Sequence, residues 1–115
     1  MATVAGSKVW DRVLVALTAT IVRGQFVVPS TGAVAGAGAF GLPAMENGVS
    51  GQNIGLASFG SAFEAVAGAV GVNAGDKVQI DASGYGETYS SGVCVGRAIT
   101  AATNGQSFQY IPYAQ

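Results

Sequence analysis

Ala74-Gly75-Asp76-Lys77-Val78-Gln79-Ile80-Asp81 is the stretch that decides the fold class. Val78 and Ile80 alternate with Lys77, Gln79 and Asp81, and Gly75-Asp76 precedes them, so the segment reads as a half-buried strand entered through a turn. Ala82-Ser83-Gly84-Tyr85-Gly86 then supplies turn residues, Glu87-Thr88-Tyr89 returns as a short strand, and residues 93–99 make another. In that last strand Val93, Val95, Arg97 and Ile99 share a face, and an arginine does not belong in a core. Either Gly96 marks a bulge that re-aims the side chain, or Arg97 lies at a sheet edge with its charge in solvent. Both place Arg97 near a surface or an interface. After the Asn104-Gly105 turn, residues 107–111 form a final strand with Phe108 and Tyr110 on one face, ended by Pro112.

The upstream chain reads as further short strands. Residues 12–22 are dense in Val, Leu, Ile and Thr, which favour a pleated surface, and predict a strand of about five residues, a break near Ala19 and a second short strand. Arg23-Gly24 turns the chain, and residues 25–28 form a strand that Pro29 ends. Residues 30–40 are nearly all Gly and Ala; pairing as a flat strand is the alternative, but a long exposed loop is the favoured reading. Such a loop invites a role in gripping a partner. Residues 52–59 place Ile54 and Leu56 on one face of a strand. Phe63, Val66, Ala67 and Val70 match a helical spacing, yet Gly60, Gly68 and Gly71 weaken a helix, so residues 63–67 are read as strand.

Residues 1–11 lack periodicity and predict an extended arm, followed by a β domain over 12–115. Trp10, the single tryptophan, either folds back on the core or anchors a neighbour. The chain of 115 residues is expected to form one domain burying about 60% or more of its unfolded surface. Half of it is apolar, but mostly as Ala and Val, and 18 glycines raise the entropy cost of folding. A thin core, many tight turns and stability supplemented by homo-oligomerisation follow. The expected class is all-β, a small compact barrel or sandwich with an N-terminal arm and a Gly/Ala-rich loop.

Charge and composition exclude several functions. The net charge is −1, with Lys8, Arg12 and Arg23 against Asp11 giving +2 over residues 1–40 and −3 over the remainder. Nucleic-acid binding requires clustered Lys and Arg and is not expected. Residues 13–22 are too short and too poorly flanked for a signal peptide, and the uncharged residues 24–45 are interrupted by Pro and Gly, so neither is expected to enter a membrane. With no histidine, Cys-His and Ser-His-Asp chemistry and ordinary zinc sites are excluded. Cys94, the one cysteine, reads as a buried small hydrophobe. Asp76 and Asp81 have odd spacing, which points them to opposite faces of a regular strand and away from a shared metal or acid–base site. Gly36-x-Gly38-x-x-Gly41 matches a dinucleotide fingerprint only as a string, with no βαβ context. No enzyme, cofactor or metal is expected. Tyr85, Tyr89, Tyr110 and Tyr113 concentrate in the last third, as covers for sheet faces or as interface residues.

Ala74-Gly75-Asp76-Lys77-Val78, then Ile80-Asp81, Gly84, Val95-Gly96-Arg97-Ala98 and Ala101-Ala102 resemble the C-terminal half of small tailed-bacteriophage capsid decoration (cement) proteins. Upstream, Arg23-Gly24, Gly41-Leu42, Gly51 and Phe63-Glu64 fall in a similar order; the run at 32–41 and the Trp10 arm do not fit that pattern. The resemblance implies a β protein on the exterior of an expanded phage capsid, assembled in the host cytoplasm. It would be a virion structural protein that staples neighbouring major capsid protein subunits as a homo-oligomer, a dimer or trimer. Lys8, Trp10, Arg12, Phe40, Arg97 and Tyr113 are the expected partner-interface residues. The alternative is a soluble β-fold binding module of a virion, receptor- or carbohydrate-binding, that uses Tyr85, Tyr89 and Tyr113.

Overall fold

The structure, a computed structural model, describes residues 12–57 and 62–112. Among these residues the chain is all-β, with no helix and nine strands: β1 (Arg12–Ala16), β2 (Phe26–Val27), β3 (Leu42–Pro43), β4 (Asn53–Ala57), β5 (Phe63–Val66), β6 (Lys77–Ile80), β7 (Gly86–Thr88), β8 (Gly96–Ala98) and β9 (Ser107–Pro112). Residues 63–66 are strand and not helix, as the flanking glycines require. The second strand expected after Ala19 contracts to a single antiparallel bridge, Ile21 to Gly48.

The C-terminal half builds a five-stranded sheet in the order β5-β9-β8-β6-β7 with antiparallel pairings throughout. Its two ends meet. Ala67, immediately after β5, bridges Gly86 of β7 in parallel, the Gly68 N–H donates to the Gly86 carbonyl at 2.9 Å, and the Thr88 N–H donates to the Gly71 carbonyl at 3.0 Å. These contacts draw the two ends of the sheet together into a small barrel. Tyr110 sits at its centre, edge-on to Phe26 at 5.7 Å between ring centroids and 5.8 Å from Phe108. Gly96 makes that placement possible, because a Cβ there would lie 2.7 Å from the Tyr110 ring and 2.4 Å from the Ile111 carbonyl oxygen.

The N-terminal half contributes two short ladders, β1 with β4 and β2 with β3. A second core of Val15, Leu17, Ile21, Leu42, Ile54 and Leu56 lies beneath them. Strand alternation makes β2 the wall between the two cores: Phe26 points into the barrel and its neighbour Val27 into the second core. The turn at residues 81–84 docks on this wall, where the Phe26 N–H donates to the Gly84 carbonyl at 2.7 Å and Gln25 Nε2 to the Ser83 carbonyl at 2.9 Å. Gly84 has a positive φ of 86° there, a conformation that glycine adopts without strain.

Residues 30–40 are not the exposed loop that their composition suggests. Val34 bridges Val27, Ala35 is fully buried in the barrel core, and the Gly38 N–H donates to the Ile80 carbonyl at 2.9 Å. Small side chains let this segment lie flat against β2 and the end of β6, and only Gly36 and Ala37 at its tip, with Ser30 and Thr31 near its start, are exposed.

Candidate interaction surface

The groups with chemical potential are spent on structure. The Asp81 carboxylate accepts from the Ser83 and Tyr85 N–H groups at 2.8 and 3.0 Å and shapes the turn between β6 and β7. Asp76 accepts from the Asn73 N–H at 3.0 Å and the Thr88 hydroxyl at 2.9 Å. Cys94 is buried, with its Sγ 3.4 Å from the Gly96 carbonyl oxygen. No group of three or more His, Cys, Asp or Glu side chains converges among the described residues. One cavity of about 230 Å³ is an open depression lined by residues including Val72, Asn73, Thr88 and Gln106.

Two buried polar side chains in the barrel behave differently. Gln79 alternates outward from β6, which suggests an exposed side chain, yet it is only 6% exposed because residues 90–92 fold over it. Its Oε1 accepts from the Ser90 and Ser91 N–H groups at 2.8 and 2.9 Å, and its Nε2 donates to Glu87 and Ser90. Tyr110 is the converse: its hydroxyl is buried without a hydrogen-bond partner, and burial pushes its pKa well above the ordinary value of 10.0.

The expected interface residues are dispersed. Lys8, Trp10 and Tyr113 lie outside the described residues. Arg12 opens β1 opposite Ala57. Phe40 is half-buried where the two cores meet. Arg97 does not lie at a sheet edge: its strand contracts to Gly96–Ala98 and runs centrally between β9 and β6, and the side chain is re-aimed at Gly96, as the other expectation has it. Cys94, Val95 and Gly96 are buried in succession, so the alternation expected over residues 93–99 breaks and restarts with Arg97 on the outer face.

Register gives Arg97 neighbours that spacing along the chain does not reveal. Lys77 stands directly opposite it on β6, and Ile111 directly opposite on β9. Tyr89 continues the row: its N–H donates to the Lys77 carbonyl at 2.9 Å, and the Lys77 ammonium lies 5.9 Å from its ring centroid. The Arg97 guanidinium donates to the Gly75 carbonyl at 2.8 Å. Ile111 is 44% exposed and Ile99, one row along, is 43% exposed. The outer barrel face thus carries Tyr89, Lys77, Arg97, Ile111 and Ile99 together.

No family model matches the sequence, and no curated protein matches it. The fold is similar to that of a phage head fiber base. The likeness is to the crystal structure of the head fiber gp8.5 N base in bacteriophage phi29, with a TM-score of 0.70 and 13% identity. It covers 89% of this chain and 92% of that one, so it takes in the barrel and the N-terminal ladders alike.

Proposed function

We propose that this chain is a bacteriophage virion structural protein that binds the outer surface of an expanded head and staples neighbouring major capsid protein subunits. The observation that carries the reading is the shared architecture with the head fiber gp8.5 N base over 89% of the chain. The chemistry of the molecule agrees with a stapling role, which needs shape, edges and adhesive surfaces but no ionisable centre. Many weakly bound copies on one shell gain from avidity, because engaging two capsid subunits makes the second contact effectively intramolecular. β1 suits that work: among the described residues it pairs only with β4, which leaves its other edge available for strand addition. Residues 1–11, with Lys8 and Trp10, precede this strand in the sequence and are proposed to contact the capsid with it.

The test is binding to expanded heads that lack the protein. The purified chain is expected to bind at a fixed stoichiometry and to raise the resistance of the heads to disruption. Deleting residues 1–11 is expected to weaken binding more than it lowers the melting temperature of the free chain. Absence of binding to undecorated heads, or selective binding to one sugar on a glycan array, would replace the reading with that of a receptor- or carbohydrate-binding module.

A further inference from the structure

The row Tyr89–Lys77–Arg97–Ile111 carries an electrostatic cost that no carboxylate relieves among the described residues. Lys77 and Arg97 are directly opposed across two strands, an arrangement in which like charges destabilise a sheet. Among the described residues neither has a carboxylate within ion-pair distance, whereas Arg23 is paired with Glu64 at 3.0 Å. Two acids of the same sheet are already engaged, Glu64 by Arg23 and Glu87 by Gln79. Lys77 and Arg97 are instead held by neutral partners, the Tyr89 ring and the Gly75 carbonyl, which fix their direction and leave their charge uncompensated.

Two oriented cations flanked by a tyrosine and two exposed isoleucines have the composition of a binding hot spot: aromatic and arginine anchors with apolar area beside them. We infer that this face docks a protein segment that presents a carboxylate next to apolar side chains. The carboxylate sits between Lys77 and Arg97, and the apolar groups cover Ile111 and Ile99. Given the proposed capsid role, on which this inference rests, the segment belongs to the shell protein. The charge opposition that weakens the free sheet becomes an attraction once the acid is in place, so stability and binding pull in opposite directions at this site.

Lys77→Glu tests this opposition. In the free chain the new carboxylate faces Arg97 and turns repulsion into attraction, so the melting temperature at low salt is expected to hold or rise. On undecorated heads the same substitution repels the partner carboxylate and occupies Arg97, and binding is expected to weaken about tenfold or more. Arg97→Glu should do the same to binding, and Lys77→Gln, which introduces no new charge, should weaken it less. Wild-type binding should fall with added salt. If the wild-type chain binds heads while Lys77→Glu and Arg97→Glu bind equally well with the same salt dependence, the docking face is overturned and the capsid role stands. Failure of the wild-type chain to bind removes both.

Discussion

The barrel core is filled by Phe26, Phe108 and Tyr110, whereas the core beneath β1 and β4 is aliphatic, built from Val15, Leu17, Ile21, Leu42, Ile54 and Leu56. The edges differ in the same sense. The barrel closes through Ala67 and Gly86, while β1 keeps one side without a strand among the described residues and leaves Leu14 67% exposed. A closed sheet resists pairing with other chains and an open one invites it. The difference divides the chain: the C-terminal half is a framework closed on itself, and β1 in the N-terminal half is the edge proposed to pair with a capsid subunit. The outer face around Arg97 is the docking surface proposed on the closed half.

The largest effects test whether the two cores are one cooperative unit. Phe108→Ala is expected to destabilise the chain by about 3–5 kcal/mol, and Leu56→Ala by about 2–5 kcal/mol, each within a single unfolding transition because β2 serves both cores. Calorimetry decides: a separate low-temperature transition in Leu56→Ala would break the coupling and make the N-terminal ladders an independent layer. Gln79→Leu probes the barrel alone. It strips the Ser90 and Ser91 N–H groups of their acceptor, and a loss of about 2 kcal/mol is expected, with accelerated amide exchange at those residues and unchanged exchange in β1 and β4.

Tyr110→Phe is the smallest change and the most diagnostic of the barrel interior. Removing a buried hydroxyl that has no partner is expected to leave stability at neutral pH within about 1 kcal/mol of wild type, in the stabilising direction. The variant should separate from wild type in alkali. The folded-state pKa of Tyr110 is raised, so the unfolded chain loses its proton first, and wild-type stability is full below the ordinary value of 10.0 and declines as pH rises above it. Thermal melts between pH 9 and 11 should show a steeper decline for wild type than for Tyr110→Phe, and parallel curves would refute the assignment.

The legible part of this fold was its alternation. Val78 and Ile80, Ile54 and Leu56, and Phe108 and Tyr110 each announce a strand and its buried face, and the glycines around Phe63 correctly favour strand over helix. Alternation says which side chains share a face, but not which faces are roofed. Gln79 reads as solvent-facing until residues 90–92 close over it, and residues 30–40 read as exposed because their order comes from backbone hydrogen bonds that leave no side-chain signature. The surface around Arg97 was hidden for another reason. Lys77, Arg97 and Ile111 meet only through the register of strands separated by long stretches of chain, so the sequence marks Arg97 as out of place without naming its neighbours.

β9, formed by residues 107–112, is the last described strand in the chain, yet it lies inside the sheet between β5 and β8. β5 leaves the ribosome more than forty residues before the strand it must pair with. During synthesis the barrel therefore has no partial form in which its aromatic centre is covered, since Phe108 and Tyr110 arrive with the final strand. Closure of this half waits for residues 107–112, and a chain truncated before residue 107 is expected to keep an unfilled interior and unpaired edges on β5 and β8.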